Sequence, residues 1–162
     1  MTRAISSGLS MVVINPRTHR WTLTGYAAHK AVAIERGWEE EMGEKVYIQH
    51  YLLSWGIHMR GEDGHVNLYL LFQSHKSRYD EFLDWPFSNK VKLCLDHPET
   101  QKEDCASHQP NLSGKGINVF ARPLKDSNEL GVLLAAKFEA SHIENNGYIK
   151  EDKLFAKLEV LT

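Results

Sequence analysis

The stretch YDEFLDWPFSNKVKLCLD, residues 79–96, decides the fold. Its first part carries apolar residues three to four positions apart, at Tyr79, Phe82 and Leu83, and this spacing predicts one or two helical turns. Because a proline pushes the residue before it out of the helical region, Pro86 should end the helix. The stretch therefore begins with a short helix that stops at an aromatic–proline–aromatic wedge.

The second part of this stretch changes to a period of two from Lys90 onward. Its apolar residues share one side: Val91, Leu93 and Leu95. Charged residues and Cys94 share the other side, an alternation that is typical of a strand with one buried face. We predict that the helix, the wedge and this strand together close one end of a β-sandwich.

The rest of the chain is made of short segments with strand character, separated by turn signals. These segments are 18–26, 46–59, 65–74, 117–121, 130–138 and 148–161. Between the second and the third lies RGEDG at 60–64, which ends in Asp-Gly and predicts a β-hairpin turn. Strands without a βαβ pattern predict an all-β fold, an antiparallel β-sandwich of seven or eight strands with one short helix.

Three further segments lack a strong period. Residues 27–45 have high helix propensity, but Gly37 interrupts a partial apolar stripe, so we predict loop and weak strand rather than a long helix. Residues 97–117 are polar and aperiodic, which predicts a long loop. We expect a turn at 142–147.

Length and composition predict one soluble domain at 18–162, preceded by a linker at 1–17. A net charge of −2 does not indicate a basic surface that would bind nucleic acid or an anionic membrane. Apolar runs stay well below the roughly 18 residues of a membrane span, and the start lacks the pattern of a signal peptide.

Catalytic and metal-binding motifs were sought and not found. The sequence contains no GxSxG, P-loop or HExxH pattern, and its nine histidines are scattered. Cys94 and Cys105 form no CxxC, so we predict a reduced setting with neither a disulfide nor a zinc site. A Cys105–His108 pair would lie in a mobile loop that cannot hold a nucleophile and base. We therefore expect a non-enzymatic chain without a metal or cofactor.

Three motifs resemble one known family. They are WPF at 85–87 before a Lys-x-x-Leu strand, FARP at 120–123, and YIKED at 148–152 followed by Leu-Phe-x-Lys. In this combination the chain resembles, from about residue 21 to residue 160, the C-terminal domain of the tumour necrosis factor receptor-associated factors (TRAF), also called the MATH domain. The resemblance is strongest to the member that serves Toll and interleukin-1 receptors. It implies an eight-stranded antiparallel sandwich.

The resemblance also implies binding of short extended peptides along a sheet edge, as an added strand. In the most similar member an arginine contacts the peptide's aromatic or acidic end, and in this sequence Gly56 occupies the position of that arginine. Two aromatic residues flank the peptide in that member, and Leu130 and Val132 occupy their positions here. His58 keeps the residue type of that most similar member. We hypothesise that Arg60, on the same strand face, replaces the lost cation; the alternative is a purely solvated arginine. The candidate peptide-binding residues are Gly56, His58, Arg60, Leu130, Gly131 and Val132.

For a full-length protein the resemblance implies a RING, zinc fingers and a trimerising coiled coil. Such a protein would be a cytoplasmic adaptor and ubiquitin ligase in innate-immune NF-κB or JNK signalling, whose partners are receptor tails or adaptor proteins. This chain alone should be a monomer or a weak trimer. Two alternatives stay open: a MATH substrate-recognition module of a ubiquitin ligase or deubiquitinase, and a small-molecule-binding or enzymatic β-sandwich. A deep pocket with convergent polar groups would favour the latter.

Overall fold

Two antiparallel sheets form the framework in the computed structural model, which describes residues 16–114 and 116–161. The strands are β1 Thr18–Thr24, β2 Trp38–Met42, β3 Val46–Ile48, β4 Tyr51–Glu62, β5 His65–His75, β6 Val91–Asp96, β7 Glu103–His108, β8 Gly131–Glu139, β9 Ile149–Lys150 and β10 Lys153–Val160. The helices are α1 Tyr26–Arg36, α2 Gly116–Phe120 and α3 Ala140–Asn145, with a 3-10 turn at Asp80–Phe82. The predicted all-β sandwich is confirmed.

Each sheet contains five of these strands. The first sheet has the order β1-β10-β6-β7, with β9 paired to β10, and the second has the order β2-β4-β5-β8, with β3 paired to β4. The predicted hairpin joins β4 to β5 through a turn confined to Asp63 and Gly64. The expected linker at 1–17 lies outside the described residues, apart from its last two. Within the described part of the chain, no helix is long and apolar enough to cross a membrane.

The stretch at 79–96 behaves as its pattern predicts. The helical turn is short and is followed by Trp85, whose indole nitrogen donates a hydrogen bond of 2.8 Å to the Asp80 carbonyl. Phe87 is completely buried and its ring centroid lies 5.4 Å from that of Phe72 and 4.9 Å from that of Tyr51. The wedge therefore fills one end of the space between the sheets.

Residues 26–36 form helix α1, so the prediction of loop and weak strand is wrong there, although β2 follows as a strand. Tyr26 is buried and its hydroxyl donates a 2.7 Å hydrogen bond to Glu144, which also pairs with Lys30 at 2.7 Å. The helix ends at Gly37, whose left-handed conformation suits glycine. Helix propensity and these contacts with α3 outweigh the weak apolar stripe.

Strand β7 replaces part of the loop predicted at 97–117, and it carries a disulfide that the sequence analysis excluded. Cys105 lies directly opposite Cys94 on β6, with a Cα–Cα distance of 4.0 Å, and the two sulfurs are bonded. The residues of β7 alternate between exposed and half-buried side chains without large apolar ones. This strand gave no hydrophobic signal because it is a terminal strand, and the cysteines meet only through its register with β6.

Residues 116–120 form helix α2, so the strand predicted at 117–121 is wrong, and α3 overlaps the turn expected at 142–147. Phe120 is buried against Phe87, and its carbonyl accepts a 2.7 Å hydrogen bond from the Phe87 amide. The Asn128 side chain donates to the carbonyls of Val119 and Ala121, which leaves them satisfied at the helix end. Five residues are too few for periodicity to separate strand from helix.

One contact joins the open sides of the two sheets. The Ala135 amide on β8 donates a hydrogen bond to Nδ1 of His108 on β7, at 3.3 Å. Near this point β8 departs from regular pairing, since its register with β5 shifts between Leu133 and Lys137. The terminal strand of the first sheet therefore lies against the bulged part of the terminal strand of the second.

His75 is expected to weaken folding in mild acid. This buried side chain lies between two hydroxyls, with Nε2 2.7 Å from Ser54 Oγ and Nδ1 2.7 Å from Ser127 Oγ. Burial, and then the charge of Lys45, lowers the pKa of His75 below its ordinary 6.5. Below about pH 6.5 the unfolded chain therefore binds a proton that the folded chain does not, and the free energy of unfolding should fall as the pH drops through this range.

Urea denaturation at about pH 7.5 and about pH 5.5 would measure this effect of His75. In a His75→Gln variant the pH dependence should shrink, because an amide takes up no proton. Part of it should remain, since burial also lowers the pKa values of His19 and His108. His65→Gln, at an exposed position, is the matched control and should keep the full dependence. Equal slopes in both variants would contradict the assignment.

Candidate functional site

The predicted site residues on β4 lie together on the outer face of the second sheet. Gly56, His58 and Arg60 alternate with core residues along the strand and so share this face. Gly56 is the register partner of Leu71 on β5, and Leu71 is the partner of Val132 on β8. Gly56 and Val132 therefore stand in one cross-strand row, with one strand between them.

Gly56 is required by the close approach of β2 to β4. A Cβ atom at this position would overlap the carbonyl oxygen of Glu41 and lie 2.8 Å from Cα of Met42. No side chain fits there unless β2 moves. The position that carries an arginine in the resembled family therefore cannot carry one in this backbone arrangement.

His58 is the centre of an aromatic and acidic cluster. It is only 5% exposed, and its Nδ1 lies 2.7 Å from a carboxylate oxygen of Glu40 on the neighbouring strand β2. The imidazole stacks on the indole of Trp38, with ring centroids 6.1 Å apart and an interplanar angle of 8°. Trp38 is 45% exposed, so the cluster presents an aromatic face to solvent.

Arg60 extends this cluster toward β5. Its Nε donates a hydrogen bond of 3.3 Å to Nε2 of His58, and its guanidinium lies 5.2 Å from the ring centroid of Tyr69. This donation requires an unprotonated Nε2, which leaves Nδ1 as the nitrogen that donates to Glu40. The contacts hold the Arg60 side chain in place while it stays partly accessible.

Glu62 anchors the other end of the same face. It accepts hydrogen bonds from the Tyr69 hydroxyl at 2.6 Å and from the Asn67 amide at 2.9 Å. These two hydrogen bonds hold the pKa of Glu62 below its ordinary value. Burial, and then the same hydrogen bond and the charge of Glu62, raises the pKa of Tyr69. Tyr69 therefore stays a neutral phenol whose ring supports Arg60.

The three predicted residues at the start of β8 do not share one surface. Leu130 precedes the strand and is 49% exposed, and Val132 points to the outer face. Gly131 points the other way, toward α2, where an added Cβ would lie 2.7 Å from a methyl carbon of Val119. Gly131 is therefore a packing residue that lets α2 approach β8.

A cavity of about 380 Å³ lies between α2 and the loop that leads to β8. Exposed apolar side chains from Ile117 and Leu124 line it, together with the basic Arg122 and Lys125. Leu130 is exposed on the neighbouring segment of chain. This end of the second sheet thus combines a terminal strand with a hollow of mixed apolar and polar lining, which carries two cations and the carboxylate of Glu129.

The described residues contain one group of three side chains with metal-ligand chemistry, Cys94, Glu103 and Cys105. Its two sulfurs are bonded to each other, so the pair offers no thiolate to an ion. The residues that surround the outer face of the second sheet form hydrogen bonds and stacks among themselves.

Comparison with known proteins agrees with this architecture. A family model described as the TRAF/meprin MATH domain matches residues 39–157, which is most of the chain. The chain belongs to the TRAF/meprin MATH-domain family. The resemblance read from the motifs at 85–87, 120–123 and 148–152 is confirmed at the level of the family. Membership of this family supports a protein-interaction domain.

Individual relatives of this MATH domain are TNF receptor-associated factors. The chain is 28% identical over 121 residues to human TNF receptor-associated factor 1, covering 74% of the chain and 27% of that protein. It is 25% identical over 150 residues to human TNF receptor-associated factor 5, covering 86% of the chain and 26% of that protein. The chain thus spans about a quarter of the length of these curated relatives. The finer resemblance to the Toll and interleukin-1 receptor type stays a prediction.

A solved structure of Notothenia coriiceps TRAF5 has the same fold. It superposes with a TM-score of 0.69 and 21% identity, covering 91% of the chain and 74% of that structure. At this identity the likeness concerns the sandwich and its strand order.

Sequence reasoning missed Trp38, Glu40, Tyr69 and Glu62 as neighbours of the candidate residues on this MATH domain. The run WEEEM at 38–42 carries three consecutive acidic residues, a local pattern that is most typical of a solvated face. Their contacts with His58 and Arg60 arise from the pairing of β2 with β4, which no local pattern encodes.

Proposed function

We propose that this MATH domain captures short extended peptides of receptor tails or adaptor proteins by adding them as a strand to β8. The observation that carries the proposal is the position of β8 at the end of its sheet, beside exposed aliphatic side chains. A terminal strand has unpaired backbone groups on one side, which an extended peptide can satisfy. Leu130, Val132 and Leu134 supply apolar contacts along this side.

The chemistry around β8 specifies the kind of peptide. Leu130 and Val132 stand where the resembled family has aromatic residues, so an aliphatic anchor replaces the aromatic contact. The cavity beside α2 adds Ile117 and Leu124, which suit a second apolar side chain. Its basic residues, Arg122 and Lys125, favour acidic groups in the peptide. We expect an extended motif with aliphatic side chains and at least one acidic residue.

A peptide array probed with this chain tests the proposal. We expect acidic-aliphatic peptides to be retained and basic ones to be excluded. For a retained peptide, the double substitution Leu130→Asp and Val132→Asp should weaken binding by about tenfold or more, because it places charges in an apolar contact. Isothermal titration calorimetry measures the affinity, and circular dichroism confirms that the variant folds.

The matched control places the same two charges on the first sheet, as Thr22→Asp and Thr24→Asp on the exposed face of β1. Its affinity for the retained peptide should equal that of the unaltered chain. An array on which no extended peptide binds, or a retained peptide that is indifferent to the double substitution, would count against strand addition at β8.

Arg60 is expected to contribute a cation only to a peptide that also crosses the outer face of the second sheet, because β5 lies between Arg60 and β8 and the cross-strand row of Arg60 ends at Glu139. Substitution Arg60→Ala should weaken binding of an acidic peptide of this kind by roughly fivefold, the scale of one partly exposed charge pair. Arg20→Ala on the first sheet is the control and should leave the affinity unchanged. If Arg60→Ala also has no effect, Arg60 acts only within the chain, through His58 and Tyr69.

For the full-length protein we propose a cytoplasmic adaptor that links such peptides to ubiquitin ligase activity and to NF-κB or JNK signalling. The support is the relationship to TNF receptor-associated factors 1 and 5. Assembly would place several weak peptide sites on one trimer and raise avidity without new contacts. Sedimentation of this chain alone should give a monomer or a weakly associating trimer.

A further inference from the structure

The disulfide between Cys94 and Cys105 lies outside the proposed peptide site and has no part in it. It joins the terminal strand β7 to β6. Cys94 lies between Leu93 and Leu95, which face the core, so its side chain points to the outer face of the first sheet. Cys94 is fully buried under its neighbours, and Cys105 is the more exposed of the two. A thiol in solution can therefore reach the sulfur of Cys105 first.

The charged groups on this face are arranged around the disulfide as three ion pairs. The pairs are Arg20–Asp96 at 3.2 Å, Lys92–Glu159 at 3.5 Å and Lys157–Glu103 at 3.0 Å. Lys157 is the register partner of Cys94 on β10, and its side chain is largely buried. Lys157 pairs with Glu103, whose carboxylate oxygen lies within 4.8 Å of both sulfurs, so this ammonium offsets the negative charge of Glu103 next to the disulfide. A nearby ammonium stabilises a thiolate.

We propose that Cys94 and Cys105 form a thiol–disulfide exchange site for small thiols of the glutathione class. Cys105 is the sulfur that is attacked, and Cys94 is the leaving group. The difference in exposure fixes these roles, since attack requires access to a sulfur along the S–S bond. Lys157 is a positioning residue that favours departure of Cys94.

The exchange proceeds in two balanced steps. In the first, the thiolate of one small thiol attacks Sγ of Cys105; a new S–S bond forms, the bond to Cys94 breaks, and its electron pair leaves as the Cys94 thiolate. In the second step, the thiolate of another small thiol attacks the sulfur that the first small thiol contributed to the mixed disulfide. The bond from that sulfur to Cys105 breaks, and Cys105 leaves as a thiolate. Two molecules of small thiol lose the two electrons that the two cysteines gain.

Mass spectrometry of the folded chain after equilibration in glutathione buffers tests the proposal. With a large excess of reduced glutathione we expect a substantial fraction of chains to contain free thiols while circular dichroism stays that of the folded sandwich. A disulfide that stays intact in the folded chain, under conditions that reduce it after unfolding in urea, would overturn the proposal and leave a purely structural crosslink.

Single-cysteine variants test the assigned roles. After treatment with oxidised glutathione, Cys94→Ser should carry glutathione on Cys105, whereas Cys105→Ser should carry little on the buried Cys94. Equal modification of the two variants, or preferential modification of Cys94, would overturn the assignment. If a variant fails to fold, the unaltered chain can be used instead to identify the attacked cysteine. Its mixed disulfide with glutathione is trapped, and peptide mapping shows which cysteine carries the glutathione.

The role of Lys157 has a kinetic readout. Lys157→Gln should slow reduction by glutathione about three- to fivefold, because the leaving thiolate loses its cation. Lys153→Gln, four positions away along the same face of β10, is the matched control and should react at the unaltered rate. Equal rates in both variants would remove Lys157 from the exchange reaction.

Discussion

Replacing Trp55 with alanine is expected to lower the free energy of unfolding by about 4 kcal/mol. The side chain is only 1% exposed and lies between the sheets, with its ring centroid 5.7 Å from that of Trp21. Its indole nitrogen donates a 3.0 Å hydrogen bond to Nδ1 of His19. The substitution leaves a large cavity and removes the donor to His19, so packing and hydrogen bonding are lost together.

Urea denaturation followed by far-ultraviolet circular dichroism measures the effect of Trp55→Ala. Trp38→Ala is the matched control, because this tryptophan is half-exposed on the terminal strand β2 and should cost less than about 1 kcal/mol. If both substitutions destabilise the chain equally, Trp55 is not the centre of the packing between the two sheets.

Replacing Gly56 with valine is expected to lower the free energy of unfolding by about 3 kcal/mol, because the added side chain overlaps the backbone of β2. Backbone atoms cannot give way as a flexible side chain can, so β2 must move away from β4. That movement would separate Glu40 from His58 and expose more of Trp38. Binding of a peptide at β8 should change less than stability, since β5 lies between Gly56 and that strand.

Chemical denaturation again measures stability for Gly56→Val, and the difference in tryptophan emission between this variant and the same variant carrying Trp38→Phe reports on Trp38, because the chain has four tryptophans. The matched control is Leu52→Val, on the same strand and the same face, which removes one methylene group and should cost under about 1 kcal/mol. If the Gly56→Val chain is as stable as this control, β2 can shift without cost. The close approach of β2 to β4 would then not be the reason for a glycine at position 56.

The elements that the sequence predicted well are those whose local pattern and tertiary position agree. Several signals in 79–96 indicate the same arrangement, a short helical turn that ends at a proline and is followed by a strand. These signals are the proline, the buried aromatics and the alternation at Val91, Leu93 and Leu95, and the structure contains this arrangement. Helix α1 was missed because its buried face consists of little more than Tyr26 and Ala33, which is too few for a clear helical stripe.

Strand β7 and the disulfide were missed for a different reason. The six residues of β7 include no large apolar side chain, and Cys105 becomes adjacent to Cys94 only through strand pairing. A rule based on cysteine spacing within the sequence cannot detect partners that meet across two strands.

The peptide-binding role of the candidate residues stays a prediction, and the structure shows only how these residues are arranged. The resemblance led to Gly56 and Val132, which do share one row of the second sheet. It also led to Gly131, which faces α2 instead. Consecutive residues on a strand point to opposite faces, so a contiguous motif cannot lie on one surface. The neighbours of His58, such as Trp38, required the register between β2 and β4.

The hydrogen bond between Ala135 and His108 limits how long a partner β8 can accept. The Ala135 amide donates its hydrogen bond to His108 on β7, so it cannot donate to an incoming polypeptide. The strand also bulges at the same place. Only the short run before it, from Leu130 to Leu134, stays free for regular pairing. The hydrogen bond and the bulge oppose growth of β8 into an extended intermolecular ladder and leave room for a motif of a few residues.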